Sequence, residues 1–314
     1  MGIPLVRRSV QANPKARAPR KVKDGATIAL FLLPAFVLVI VFVVYPILRA
    51  AYFSTFDWNG LGPAVNYVGL GNYARIFTDK IFIKALENGL FIVALSLCIQ
   101  LPLALALALL VEHDLPGRAF FRTIFFLPYV LSEVIVAIMW MGLFNPDPER
   151  GFINALLVLI PGVQPQAFLG NTQQVMACIF VVLTWKYFGL YMVLYMAGLQ
   201  NIPREVEEAS MIDGANRWQM LRHITIPLLG STIRTTVYLS VLGSLTQYTL
   251  VWIMTKGGPV NASEVMATYM YRYGFVRFWL GYGSAVAIVM LLICLAFSIV
   301  FTRMLRIPDY LSGM

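Results

Sequence analysis

Charge is what this sequence has least of. Only 12% of its 314 residues are charged and 59% are hydrophobic, whereas a soluble domain carries about 25% charge. That balance excludes an ordinary soluble domain and points to a membrane protein. Histidine is scarcer still: His113 and His223 lie far apart, with no metal-ligand partner at a recognised spacing. The three cysteines, Cys98, Cys178 and Cys294, each sit inside an apolar run. An odd count without paired spacing excludes a disulfide framework or a zinc site, and they read as small packing residues. No lysine is followed by Ser or Thr. The chain therefore lacks the Gly-x-x-x-x-Gly-Lys-Ser/Thr loop that cradles phosphates, and neither ATP hydrolysis by that loop nor a bound cofactor is expected. The net charge of +9 is dispersed between apolar spans, which excludes a nucleic-acid partner. There is no 20–50-residue repeat.

What is abundant is apolar sequence in long runs. Six runs, about 27–49, 84–111, 121–143, 174–199, 228–254 and 283–305, reach the roughly 20 residues a spanning helix needs. A lipid-facing backbone must satisfy its own hydrogen bonds, so these are helices rather than isolated strands. The expected fold is an all-α polytopic membrane bundle of six transmembrane helices, with the lipid bilayer as its surroundings. Residues 1–26 hold seven Lys and Arg with Pro4, Pro14 and Pro19 and no repeating apolar face, and read as a disordered tail. Residues 27–83 read as the first helix and its outer loop, 84–305 as a core of five helices, and 306–314 as a C-terminal tail. Thr27–Leu48 is longer than the roughly 7–15-residue core of a cleavable signal, so it reads as an uncleaved anchor. Pro34 and Pro46 are candidate kinks.

Lys and Arg bias sets the orientation. With the N-terminal tail in the cytoplasm, fourteen of the 24 basic residues fall on inner segments and seven on outer ones, which places both termini inside. The outer loops, about 56–83, 144–172 and 255–282, are too short to form a receptor domain with a core of its own. Residues 151–162, GFINALLVLIPG, are apolar but too short to span, and are expected at the outer interface or across the span ends. Trp58, Tyr67, Tyr73, Trp140, Trp252 and Trp279 suit the headgroup zone.

One long water-facing stretch interrupts the apolar pattern, residues 200–227, QNIPREVEEASMIDGANRWQMLRHITIP. Pro203 suits a first helical turn. Val206, Ala209, Met211 and Ile212 fall roughly on one face, with Arg204, Glu205 and Glu208 elsewhere. Asp213-Gly214 reads as a stop at a left-handed glycine. Asn216 with Gln219 reads as the capping pair of a second short helix. A helix, a sharp turn and a second helix at a membrane surface form a shape suited to being gripped. The plain alternative is a loop that only joins two spans.

Within that stretch Glu208-Ala209-Ser210, three residues, Gly214, nine residues and Ile224-Thr225-Ile226-Pro227 resemble the Glu-Ala-Ala signature of the permease subunits of binding-protein-dependent ABC importers. The family pattern has Ala at the position of Ser210 and Leu at that of Ile226; both changes are small or volume-conserving. The surrounding AGLQNIPREVEEASMIDGA, and GLGNYARIF at 69–77, resemble the carbohydrate branch, the maltose- and glycerol-phosphate-type permeases. The likeness runs from about residue 27 and is strongest over 84–305. It implies the type I ABC importer permease fold and a bacterial inner-membrane location. It also implies three kinds of partner: a second, related permease subunit, a pair of ATP-binding subunits and an extracellular solute-binding protein. Loop 200–227 would be the coupling helix seated on an ATP-binding subunit through Glu208, Ala209, Ser210, Asp213, Gly214 and Arg217. Glu208 would face a basic residue there, in a charge-assisted bond.

Three features inside the spans bear on a transport path. Glu133 and Lys186 are the most deeply placed charges, each costing about 2.5–3.5 kcal/mol near a span centre. Lys186 precedes Leu199 by thirteen residues, about 20 Å along a helix, too far to snorkel to that end. The two either pair structurally or face a wet path. Ser240, Ser244 and Gln247 share one face at i, i+4 and i+7, extended by Thr236. That stripe is either a helix–helix contact or a polar strip for sugar hydroxyls. The resemblance implies the second, with Lys186, Tyr187 and Leu190 opposite it on the fourth span; Phe188 and Tyr191 either stack on sugar or pack. The expected function is thus the permease subunit of an ATP-driven sugar importer. Two other classes compete: a stand-alone secondary transporter or channel for a small polar solute, marked by inverted repeats, broken helices or a run of buried ionisable groups, and an intramembrane enzyme, for which Glu133 has no partner in its own span.

Overall fold

The computed structural model describes residues 21–112 and 117–304. The expectations for residues 1–20, for His113 and for 306–314 fall outside them. The described residues are helical, with no strand beyond a single bridge between Phe56 and Tyr67. The chain divides into two units, residues 1–49 and 50–314.

In the first unit, α1 (Lys21–Val39) leads through a π-helical turn, Ile40–Val44, into the start of α2 (Tyr45–Phe53). The helix begins at Lys21, inside the stretch 1–26 whose composition reads as a tail. It runs through Pro34 and exposes apolar side chains all along Ile28–Val44, as a helix solvated by lipid would.

The second unit holds α3 (Gly71–Thr78), α4 (Lys80–Leu95), α5 (Leu101–Glu112), α6 (Arg118–Val130), α7 (Glu133–Leu143) and α8 (Phe152–Leu157). It continues with α9 (Val175–Leu199), α10 (Arg204–Ile212), α11 (Arg217–Met220), α12 (Ile226–Leu228), α13 (Gly230–Leu245), α14 (Thr249–Thr255), α15 (Met266–Tyr271) and α16 (Leu280–Met304). Among the described residues five segments are long and apolar enough to span: Thr27–Phe53, Lys80–Val111, Val175–Leu199, Gly230–Thr255 and Leu280–Met304. The expected span at 121–143 is not one rod. It breaks between α6 and α7 with a bend of 97°, and makes a sixth span only if the pair is counted together.

Prolines explain three local widenings. The π-helical turns Ile40–Val44, Ser96–Gln100 and Leu221–Thr225 each end two residues before a proline, Pro46, Pro102 and Pro227. In each, the residue just before the proline donates its N–H five residues back, as Leu101 does to Ser96. A wide turn accommodates the missing donor and the ring clash that would otherwise break an α-helix.

α9 is the central helix: half of its spanning window is buried, against 22% for α16. Two of its glycines permit close crossings. A Cβ on Gly189 would lie 1.9 Å from the Phe125 carbonyl oxygen, and one on Gly198 would lie 2.4 Å from Thr232 Oγ1. A separate cluster rich in aromatic rings includes Phe82, Tyr269, Tyr273 and Tyr282. Arg75 lies over the rings of Trp279 and Tyr282 at 4.5 and 4.9 Å. Trp279 and Tyr73, which hydrogen-bonds Ser54, thus have protein partners and are not simply headgroup anchors. α8, within the 151–162 run, is tied down by Asn154, whose amide donates to the carbonyls of Asn145 and Gln166.

Candidate functional site

The fifth span unwinds where its polar stripe ends. α13 stops at Leu245, and Thr246 to Tyr248 are non-helical before α14 begins. Irregular backbone at such depth is tolerated where it lines a cavity, and here it does. A cavity of about 540 Å³ is walled by the α4–α5 turn, the α6–α7 break, α9 and α13. Tyr187, Leu190, Ser240, Ser244 and Gln247, five of the six residues expected on the path, line it together. Tyr191 joins them, whereas Phe188 packs edge-on to Phe125. Thr236 instead bonds the Tyr195 hydroxyl, at 2.9 Å. Ser244 donates to the Ser240 carbonyl at 2.8 Å and lies 3.4 Å from Ser96 Oγ. The buried Gln247 amide Nε2 has no hydrogen-bond partner. Ser240 Oγ makes no hydrogen bond of good geometry, Tyr191 being its polar neighbour.

Lys186, the sixth, is elsewhere. It is 3% exposed and does not line the cavity. Its Nζ donates to the carbonyls of Pro128, Tyr129 and Leu131 at 3.3, 3.2 and 2.6 Å. The break after Val130 strands these carbonyls without the helical donors that would follow, and the ammonium replaces them. It also meets the negative end of the α6 dipole. Glu133 opens α7, at the positive end of that helix, and accepts a hydrogen bond from the Tyr187 hydroxyl. The two charges therefore do not form an ion pair: each serves one side of the break, and Glu133 is the one that reaches the cavity.

Sequence reasoning missed Ser96, Gln100, Tyr129, Gly243, Thr246 and Tyr248 on the wall. Gln100 was findable, as a lone amide in the apolar run from 97 to 111. It donates to the Leu183 carbonyl at 3.1 Å.

Loop 200–227 takes the form its residues dictate. Pro203 caps rather than enters α10. Gly214 has φ +82°, and the N–H groups of Gly214 and Ala215 bond the carbonyls of Met211 and Ser210 at 3.1 and 3.0 Å. This is a paired helix stop that needs a left-handed residue. Asn216 and Gln219 exchange bonds of 2.9 and 2.8 Å in a capping box at α11. Ser210 is buried and bonds the Glu207 carbonyl. Met211, Ile212 and Trp218 are 58%, 86% and 67% exposed. Glu208, Ala209, Asp213 and Arg217 are exposed too.

Among the described residues no cluster of His, Cys, Asp or Glu is arranged to hold a metal. Residues 100–307 match the family described as "Binding-protein-dependent transport system inner membrane component". A probable ABC transporter permease protein of Bacillus subtilis is 37% identical over 273 residues, 86% of this chain and 92% of that protein. The lactose transport system permease protein of Rhizobium radiobacter is 34% identical over 250 residues, 78% of this chain and 82% of that one. The solved bacterial alginate ABC transporter, in complex with an alginate pentasaccharide-bound periplasmic protein, has a chain that superposes with a TM-score of 0.80 at 24% identity. That match covers 91% of this chain and 96% of that one, a likeness of fold. The bent third span, the cavity beside it and the capped double helix of 200–227 are thus features of a polytopic membrane protein that belongs to the family of binding-protein-dependent transport system inner membrane components.

Proposed function

We propose that this chain is the permease subunit of an ATP-driven ABC importer and that the cavity beside the α6–α7 break is its path for a sugar. The observation that carries the reading is the cavity wall. Hydroxyl, amide and aromatic groups from separate spans converge there, with the buried Gln247 amide unpartnered. Sugar hydroxyls offer both donors and acceptors to such groups, and Tyr faces suit sugar rings. Relatives named for lactose and alginate transport support the substrate class. The chain is a transport component without an ATPase site of its own.

Two ATP-binding subunits engage loop 200–227 in this reading, through Glu208, Ala209, Ser210, Asp213, Gly214 and Arg217. The exposed Met211, Ile212 and Trp218 offer apolar area to the same partner. A second, homologous permease subunit completes the path, and an extracellular binding protein delivers the sugar. Both termini and the loop face the cytoplasm of a bacterial inner membrane, as the charge bias suggests. Broken spans are also a mark of secondary transporters, and among the described residues helices are interrupted after Val130, with a bend of 97°, and after Leu245. Its family membership argues against that class. The test is uptake in vesicles loaded with ATP or energised by an ion gradient alone, for the parent chain and Glu208→Lys. ATP-dependent uptake that Glu208→Lys abolishes, with the ATP-binding subunit no longer copurifying, supports the reading. Uptake driven by the gradient alone overturns it.

A further inference from the structure

The cavity wall carries a single formal charge. Among its lining residues Glu133 is the only acid, and none is Lys, Arg or His. The nearby ammonium, that of Lys186, is spent on the carbonyls of Pro128, Tyr129 and Leu131. One carboxylate oxygen of Glu133 takes the Tyr187 hydroxyl. The remaining wall is neutral: Gln247 Nε2 is a buried donor without a partner, Ser240 and Ser244 add hydroxyls, and Tyr129, Tyr191 and Tyr248 add rings.

We propose that this cavity sorts its cargo by charge: Glu133 admits sugars that are neutral or carry an ammonium group, and turns away uronates and sugar phosphates. This rests on the reading of the cavity as the sugar path. The reason is electrostatic. A second carboxylate about 6 Å from Glu133, at the effective dielectric of roughly 20 that suits protein sites, is disfavoured by up to about a hundredfold. An ammonium at the same place is favoured by a comparable factor, less what water in the cavity screens. Neutral sugars lose nothing, because hydroxyls donate to the free carboxylate oxygen and accept from the Gln247 amide. The solved transporter of similar fold is involved in the import of an acidic polysaccharide, a cargo of the charge that Glu133 would disfavour.

The test uses the whole importer in proteoliposomes with its binding protein and ATP. Three labelled probes share one skeleton: a neutral hexose disaccharide, its 2-amino derivative and its uronic acid derivative. The binding protein imposes its own preference, so the readout is the change in uptake ratios between parent and variant. Glu133→Gln keeps an acceptor for Tyr187 and removes the charge. The amino-to-neutral ratio is expected to fall about tenfold and the uronate-to-neutral ratio to rise by a similar factor. Glu133→Asp keeps the charge and is expected to keep the parental order. Ratios unchanged in Glu133→Gln, or an order reversed in Glu133→Asp, overturn the proposal. Gly243→Trp separates this from the path reading: a Cβ there meets nothing within 4 Å, so the indole projects from the wall without a backbone clash and is expected to block all three sugars. Full uptake of all three through Gly243→Trp overturns the path itself and charge sorting with it.

Discussion

Replacing Lys186 with Met tests whether the bent third span is held by the ammonium beside it. Met matches much of the lysine's volume but removes three bonds, of 3.3, 3.2 and 2.6 Å, to carbonyls of the break. A buried carbonyl left unpaired costs about 1–3 kcal/mol, so three place the gross loss at roughly 3–9 kcal/mol. Two effects reduce it. The buried ammonium no longer has to be kept out of water, which returns several kcal/mol, and water from the adjoining cavity can reach some of the freed oxygens. A net loss of about 2–3 kcal/mol remains. At about 2–4 °C per kcal/mol, the subunit within the solubilised importer is expected to melt roughly 4–12 °C lower. Uptake should fall about tenfold as well, because Tyr129 and Glu133 hold their places on the cavity wall only while the break holds. Thermal melts of the detergent-solubilised importer and uptake in proteoliposomes read the two effects. A Lys186→Met subunit that melts within about 1 °C of the parent and transports at the same rate refutes the clamp.

Gly189→Ala puts a Cβ 1.9 Å from the Phe125 carbonyl oxygen. Backbone cannot yield as a flexible side chain can, so the variant is expected to lose about 1–3 kcal/mol, seen as a lower melting temperature, with Gly243→Ala as the tolerated control. Gly214→Val, at φ +82° with open space around its Cβ, is expected to cost about 1–2 kcal/mol of loop stability; retention of the ATP-binding subunit on affinity resin should fall while membrane insertion persists. Between α14 and α16, Arg272 Nη2 lies 2.8 Å from the fully buried Glu264. Arg272→Gln leaves that carboxylate without its countercharge and is expected to cost about 3–5 kcal/mol, much of it recovered in the double variant with Glu264→Gln. Burial pushes the Glu264 pKa up, with Arg272 only partly opposing it. The folded chain therefore holds the proton to higher pH than the unfolded one. The contribution of Glu264 is full below the ordinary carboxylate range and declines as pH rises through the interval up to its shifted value. Glu264→Gln should flatten the melting profile across that interval.

The loop was legible because its signals are local. Asp213-Gly214 and the Asn216–Gln219 pair each specify hydrogen bonds within a few residues, and the structure makes those bonds. The stripe of Ser240, Ser244 and Gln247 was legible for the same reason, since helical periodicity alone puts the three on one face. The break in the third span was not. Nothing between Val130 and Glu133 is a glycine or a proline, and Pro128 sits inside α6 without ending it. What stabilises the break is Lys186, 55–58 residues away along the chain. A reading that scores local periodicity therefore saw a continuous apolar run. The role of Lys186 was missed by the same route: a buried cation invites a search for an anion, and backbone carbonyls carry no mark in the sequence.

α9, like α16, has neither a proline nor a widened turn through 25 residues, about 37 Å. Its far end leads directly into loop 200–227, and its middle grips the elbow of the third span. A jointless strut of this kind cannot absorb a displacement along the way. A tug on α10 therefore arrives at Tyr187 and Leu190 as movement of the same piece, and the elbow is carried with it.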